Sequence, residues 1–560
     1  MPTAKPAATH LLPVVLLAVA VAVASTATPL PHTEALLAWK ASLGDPDALS
    51  TWTSATPGCA GWRGVAFCDA AGRVASLRLQ RLGLSGELGI LRFPGAAQAR
   101  AQQQQPPGRH PRVRRHAAPR VAGPQHQLLR GRHPAATEQL SSVVVARKPQ
   151  RQLPDERFPE FVHSNMSLMD LSLNSFSGPM PGALPLNLKY LDLSNNAFTG
   201  PMPAMLARLT KLRQLRVNAN NLSGGVPEFL SSMTQPRVLE LADNLLGGQL
   251  PPTLGGLWRL RHLDLKGAGL VSVLPPELGK LRKLRFIDLS MNRLTGALPA
   301  SLARMRGMQE FGMSSNNFTG EIPGALLASW SKLISFQVQN NSLTSKIPSE
   351  IGKATKLKFL YLYLNNLTGP IPSEISELVS LEELDLSMNL LTGSIPNSFG
   401  NLKKLTSMVL HSNKLSGTIP QEIGNMSALQ NLGIYLNQLE GELPTSISSL
   451  RNLKFLSLYD NKMTGIIPPD LGKGLTLVVA SFANNSFYGE LPQNLCDGLA
   501  LQQFTAHNNN FSGRLPPCLK HCTELLRVRL EGNHFTVDIS EAFGVHPNLV
   551  YLDVSGNELT

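Results

Sequence analysis

The stretch Leu381–Glu382–Glu383–Leu384–Asp385–Leu386–Ser387–Met388–Asn389–Leu390–Leu391–Thr392–Gly393–Ser394–Ile395–Pro396 decides the fold. It reads L-x-x-L-x-L-x-x-N-x-L-x-G-x-I-P, and the frame recurs along the chain. Its Asn falls at 174, 196, 220, 244, 292, 316, 341, 365, 389, 413, 437, 461, 485, 509, 533 and 557, with Ala268 in the one vacant register. Seventeen registers span 383 residues, and only two of the intervals depart from 24. So regular a period marks a solenoid: one unit cannot bury its apolar face alone and stacks on its neighbours to do so.

Stacking assigns each position a task. The x-L-x-L-x core is a short strand whose leucines point inward while alternate residues face the concave surface. The Asn follows where the chain turns, and its amide can satisfy backbone groups that an inward bend would leave unpaired. Gly permits the next bend, and Ile-Pro opens an extended segment on the far side. The expected fold is a leucine-rich-repeat solenoid of plant-type 24-residue repeats, an α/β superhelix with a parallel sheet on its concave face. The repeat residues are structural, and no catalytic residue is expected among them.

The chain of 560 residues is 42% hydrophobic but only 16% charged, below the ~25% of an ordinary globular protein. Its formal charge of +13 invites a nucleic-acid reading. The distribution argues against it. Between Gly95 and Pro154, ten Arg and one Lys face the single acid Glu138, so this segment carries +10 and leaves 13 − 10 = +3 for the rest. No nucleic-acid partner is expected. The segment interrupts the solenoid: 92 residues separate Leu82, in the Asn position of the first repeat, from Asn174, which is room for three repeats. Its Gln102–Gln103–Gln104–Gln105 run is what AAC codons for Asn give when read from the third base. Gly-Arg-His-Pro occurs at 108–111 and again at 131–134, near one repeat apart. Residues 94–154 are therefore expected to be repeats translated out of frame, which as written would uncouple the cap from the main solenoid.

Residues 1–27 carry Lys5, an apolar stretch from Leu11 to Ala24 and the small residues Ser25 and Ala27, the pattern of a signal peptide. Residues 33–93 form an N-terminal cap and first repeat, and 155–560 hold about 17 repeats, the last cut short. Export places the chain in an oxidising, extracellular setting where disulfides persist. Cys59 and Cys68 flank Trp62 and are expected to pair; Cys496 projects midway between Cys518 and Cys522, so either can be its partner. No metal or cofactor is expected, because the thiols have no nearby His or acid constellation.

Leu36, Trp39, Trp62, Gly64 and Cys68 in the cap, with repeats closing on L-x-G-x-I-P, resemble the extracellular region of plant leucine-rich-repeat receptor-like kinases. The resemblance implies an ectodomain outside the plasma membrane that binds a secreted peptide or protein, with a leucine-rich-repeat co-receptor as a further partner. It also implies a membrane span and a Ser/Thr kinase beyond this sequence. No G-x-G-x-x-G loop, His-Arg-Asp or Asp-Phe-Gly motif occurs here, so no enzyme activity is expected of this chain. The alternative is a secreted soluble protein similar to the inhibitors of microbial pectin-degrading enzymes.

Eight glycosylation sequons occur, at Asn165, Asn221, Asn317, Asn340, Asn366, Asn425, Asn484 and Asn510. Apart from Asn165 they are expected beside the ladder Asn, on one edge of the solenoid. On the concave face, one column runs Tyr363, Ser387, His411, Tyr435, Tyr459, Ala483, His507, Glu531, and its neighbour includes Tyr361, Asp385 and Arg529. Aromatics on a rigid strand face are frequent binding hot spots. Arg527 and Arg529 alternate on one strand, which points both guanidiniums to the concave face. In the receptors this chain resembles, an Arg-x-Arg pair near the end of the solenoid receives the peptide's free C-terminus; Glu531, beside Arg529, can instead neutralise it. Transcript sequencing is expected to show that one added or removed nucleotide near the codon for Pro94 restores repeats through residue 154. A transcript that confirms the present frame would make the basic segment a genuine insert.

Overall fold

The computed structural model describes residues 167–536 and 538–560, and parts of the chain between 37 and 100. The export segment, Cys59, the stretch 101–154 and Asn165 lie outside the described residues. Through the described part the chain winds as a repeating coil of strand, turn and connector. The coil at 381–404 is representative. Leu381, Leu384, Leu386, Leu391, Ile395, Phe399 and Leu402 are all buried, and together they fill the coil's interior. Glu383–Asp385 is the concave strand, paired in parallel with Phe359–Tyr361 on one side and Ser407–Val409 on the other. Every such strand is three residues long and aligned without a register shift from Leu168 to Asp553. A second set of short parallel strands, such as Leu390–Gly393 against Lys414–Gly417, follows the turn.

The turn itself is held by the predicted amide. Asn389 Nδ2 donates to the carbonyls of Leu386 and Ser387 in its own coil and to that of Leu362 in the coil before, at 3.0–3.1 Å. Its Oδ1 accepts the N–H of Leu367, again in the preceding coil, at 3.0 Å. The pattern repeats at Asn365, Asn413 and Asn437. The residue before each ladder Asn sits in the left-handed region: Leu364, Met388, Ser412 and Leu436 have φ of 52–54°. Such a backbone costs about 1–2 kcal/mol for a side chain other than Gly, and the amide fixes it in place.

The expected helical connectors are mostly 3₁₀ turns of five residues, entered from an extended proline, as at Pro396 before Asn397–Asn401. Proline suits this entry because its φ is preset and its missing N–H has no partner to lose. One coil has room for more. The interval from Asn316 to Asn341 is 25 residues, and it houses the six-residue α-helix Gly324–Ser329. No helix among the described residues is long and apolar enough to cross a membrane.

Two expectations need correction, and one open choice closes. The cap is not uncoupled. Val74–Arg78 pairs with Gln98–Arg100, which pairs with Leu168–Asp170, and Ser85–Glu87 pairs with Ser175–Pro179. An open strand edge takes the next compatible strand, but the join is imperfect. Asn174 Nδ2 reaches Leu79 O only at 3.4 Å, and its Oδ1, alone among the described ladder amides, is buried without a partner. Secondly, the open choice at Cys496 closes on Cys518, at a Cα separation of 5.5 Å, within the range a disulfide spans. Cys522 is a buried free thiol. Thirdly, Ser387 is not an exposed column residue. It is buried, and its hydroxyl donates to Asp385 Oδ1 at 2.6 Å.

These contacts set a graded mutational series. Asn389→Ala is expected to destabilise by about 1–3 kcal/mol, because it orphans buried backbone groups in two coils. Ser387→Ala, which removes one hydrogen bond, should cost about 1 kcal/mol, and exposed Lys404→Ala should stay within about 0.5 kcal/mol of the parent. Denaturant unfolding that ranks Lys404→Ala with Asn389→Ala would contradict the register.

Candidate recognition face

The concave positions of each coil lie six, four and two residues before the ladder Asn, so coil stacking aligns them in three columns. In the C-terminal half, the column nearest the ladder is a stack of rings. His411 lies flat on Tyr435 with centroids 4.3 Å apart, and Tyr435 lies on Tyr459 at 4.3 Å. The stack is less open than sequence spacing implies: Tyr435 is buried, and His411 and Tyr459 are half-buried. Burial pushes the Tyr435 hydroxyl up to about 12 and also raises that of Tyr459. Both therefore remain neutral donors at any physiological pH. Tyr361 and Tyr363 are half-buried one column apart, and the Tyr361 hydroxyl donates to Glu383 at 2.6 Å.

Further along, His507 is buried, and its Nδ1 has no hydrogen-bond partner. Burial, followed by the field of Arg529, lowers its pKa and keeps the ring neutral. Arg527 and Arg529 share the strand Arg527–Arg529, but their side chains part. Arg529 forms an ion pair with Glu531, as the neutralising alternative holds. Arg527 is exposed and stacks over the Tyr551 ring at 4.7 Å. Buried Arg529 Nε and Glu531 Oε2 nonetheless lack hydrogen-bond partners. The structure thus gathers Tyr361, Tyr363, His411, Tyr435, Tyr459, His507 and the two arginines on one face.

A second cluster, which sequence reading missed, occupies the same face in the N-terminal half. The middle column there runs Asp170, Asp192, Arg216, Glu240, Asp264 and Asp288. Arg216 lies 3.2 Å from Glu240 and 3.9 Å from Asp192, and the Tyr190 hydroxyl donates to Asp192 at 2.9 Å. His262 stacks on Phe286 at 4.0 Å, and its Nε2 is 3.6 Å from Glu240. That contact is no ion pair at neutral pH, because burial and then Arg216 push His262 down to about 4. Glu240, Asp264 and Asp288 are cross-strand neighbours. Burial first, with the neighbouring acids adding to it, pushes Asp264 up to about 6 against the Lys266 N–H that it accepts. The signal was present in the same 24-residue period, four residues before each ladder Asn.

The sequons divide. Asn221, Asn317, Asn366 and Asn510 follow a ladder Asn and are exposed on the edge where the strands end. Asn340 and Asn484 precede one, at the left-handed position that Asn tolerates, with φ of 56° and 52°. The Asn484 amide is also engaged, donating to Asp460 at 2.6 Å while its oxygen accepts from Asn508 at 2.8 Å. Asn425 is not beside the ladder at all; it closes the 3₁₀ turn Gln421–Asn425. Among the described residues no group of three or more His, Cys, Asp or Glu is placed to hold a metal ion.

A parallel-sheet solenoid with an asparagine ladder and a graded concave face defines the class: a leucine-rich-repeat recognition domain. Family models agree. A leucine-rich repeat region matches residues 336–555, a leucine rich repeat N-terminal domain 32–69, and single repeats 187–209 and 283–305. No curated protein sequence matches the chain. Among solved structures, a TDR receptor is 35% identical, covering 70% of this chain and 68% of its own, with a TM-score of 0.67. PEPR1, solved with AtPEP1, is 26% identical over 94% of this chain and 75% of its own, TM-score 0.67. The Arabidopsis receptor kinase HAESA, solved with the peptide hormone IDA and the co-receptor SERK1, is 26% identical over 94% and 90%, TM-score 0.65. The chain belongs to the leucine-rich-repeat ectodomains of the plant receptor-like kinases, which act on the extracellular side.

The raised Asp264 makes stability depend on pH with a definite sign. Its folded pKa, about 6, lies above the ordinary aspartate value of 3.8, so the folded state binds the proton more tightly. The penalty is absent below about pH 4 and complete above about pH 6. Asp264→Asn, which keeps an acceptor for the Lys266 N–H, should raise stability at pH 7 by about 1–2 kcal/mol and leave it unchanged near pH 4. Equal effects at both pH values in thermal unfolding would contradict the assignment.

Proposed function

We propose that this chain is the ligand-recognition ectodomain of a plant cell-surface receptor and takes an extended peptide along the C-terminal half of its concave face. The observation that carries the reading is that the His411–Tyr435–Tyr459 stack shares the concave face with Arg527 and Arg529, three coils beyond Tyr459. Stacked rings offer flat, rigid area at low entropic cost, which suits an extended backbone. At the end of this track the arginines receive the peptide's terminal carboxylate with charge-assisted hydrogen bonds. Arg527 turns to it from the Tyr551 ring, and Arg529 divides its guanidinium between it and Glu531. The relatives solved with peptides, PEPR1 and HAESA, support a peptide ligand, and HAESA with SERK1 supports a co-receptor as second partner.

Glu531 makes the reading testable. It competes with the ligand carboxylate for Arg529, so its neutralisation and the loss of Arg529 must act in opposite directions. With a cognate peptide in calorimetric titration, Arg529→Ala should weaken binding by about 2 kcal/mol or more, and amidation of the peptide C-terminus should cost a similar amount. Glu531→Gln should tighten it. Affinity indifferent to all three changes would return the pair to ordinary surface.

A further inference from the structure

The small net charge outside 94–154 conceals a segregation. In the coils from Asn196 to Asn316, Glu240, Asp264, Asp288 and Glu310 face the concave surface, whereas most of the cations gather on the edge where the chain enters its strands. The six-residue entries 208–213, 232–237, 256–261, 280–285 and 304–309 hold twelve Lys and Arg and no Asp or Glu. The last position of the first four is Arg213, Arg237, Arg261 and Arg285, one per coil. Their backbones stack directly: the N–H of Arg237 donates to Arg213 O, that of Arg261 to Arg237 O and that of Arg285 to Arg261 O, at 2.7–2.9 Å. All four side chains are exposed, and among the described residues none has a carboxylate within ion-pair distance. The same position further on behaves differently, since Lys358 is paired with Glu382 at 2.6 Å.

Like charges stacked one coil apart repel, and nothing in the packing requires them, because the inward leucines on either side fill the core. Their line therefore calls for a ligand that is itself a line of negative charge. The coil spacing follows the strand spacing of about 4.8 Å, so four guanidiniums recur over about 14 Å. On the same edge Trp258 is 47% exposed, with Arg259 and Lys283 over its ring at 4.5 and 4.8 Å. A half-exposed indole flanked by cations suits a sugar ring, which presents C–H groups on its face and a carboxylate on its rim. The exposed sequons of these coils, Asn221 and Asn317, are on the opposite edge, so glycans there leave this one clear.

We infer that the edge formed by Arg213, Arg237, Arg261, Arg285 and Trp258 binds a linear polyuronate, an extracellular polysaccharide with one carboxylate per sugar, at a site separate from the concave face. Each guanidinium takes a carboxylate as a planar fork, and Trp258 supports one ring. The binding is electrostatic and weakens with salt.

The test is titration of the full chain with a galacturonate decamer in low salt, with its methyl ester and a glutamate decamer as comparisons. The decamer should bind, and both esterification and the combined Arg237→Gln, Arg261→Gln, Arg285→Gln change should weaken it at least tenfold. Trp258→Ala should weaken it severalfold, and Lys454→Gln with Lys473→Gln, at the corresponding edge of distant coils, should leave it unchanged. Melting curves matching the parent would show that the variants are folded; if the triple variant fails to fold, the ester and Trp258→Ala still decide. Failure of the parent to bind, equal binding of the ester, or tighter binding of the glutamate decamer would overturn the proposal. So would full affinity in the triple variant.

Discussion

Each coil turns on one side-chain amide. A chain that bends inward once every 24 residues points backbone N–H and C=O groups into an apolar interior, where leaving one unpaired costs about 1–3 kcal/mol. The ladder Asn answers this with three donated contacts and one accepted, two of the four reaching into the coil before. It couples neighbouring coils as well as closing its own. An apolar residue makes none of these contacts, as Ala268 in the one vacant register shows, and Asp has no N–H to give.

From that coupling follow the properties of the surface. Because coils stack without slipping, any choice at a position four residues before the Asn is repeated as a column, and chemistry becomes linear. The acids of the N-terminal half, the ring stack of the C-terminal half and the arginines of the entry edge are three such lines, each on its own part of the solenoid. A rigid scaffold with ordered columns suits elongated ligands, whose conformational entropy is already reduced and whose contacts repeat. The reading of this chain as a receptor ectodomain rests on the same geometry.

Much of this was legible in the sequence, for a physical reason. The residues that make the coil are local and periodic, so Leu384, Leu386, Asn389 and Gly393 announce their tasks by spacing alone. What spacing does not carry is how side chains pair across coils. It left Cys518 and Cys522 equivalent, although only Cys518 meets Cys496 across the coil stack. It put Ser387 on the surface, where the column position is right but the hydroxyl turns down onto Asp385. It also grouped Asn484 with glycan-bearing edge residues, whereas a left-handed backbone and the Asp460–Asn484–Asn508 chain give it a structural task. The acidic cluster and the arginine edge were invisible to a net charge, in which they nearly cancel. The coupling of the cap escaped as well, since a gap in the period says nothing about which strands meet across it.

Amide hydrogen exchange on the intact chain tests the ladder most directly, because it reads single backbone groups. The N–H groups of Leu367, Leu391, Leu415 and Leu439 lie just past the turns, and each donates to a ladder Asn in the next coil at 3.0 Å. Protection of these amides equal to that of the concave strands, and its loss at Leu367 alone when Asn389 becomes Ala, is the predicted result. Exchange at the rate of open turns in the parent chain would contradict the account.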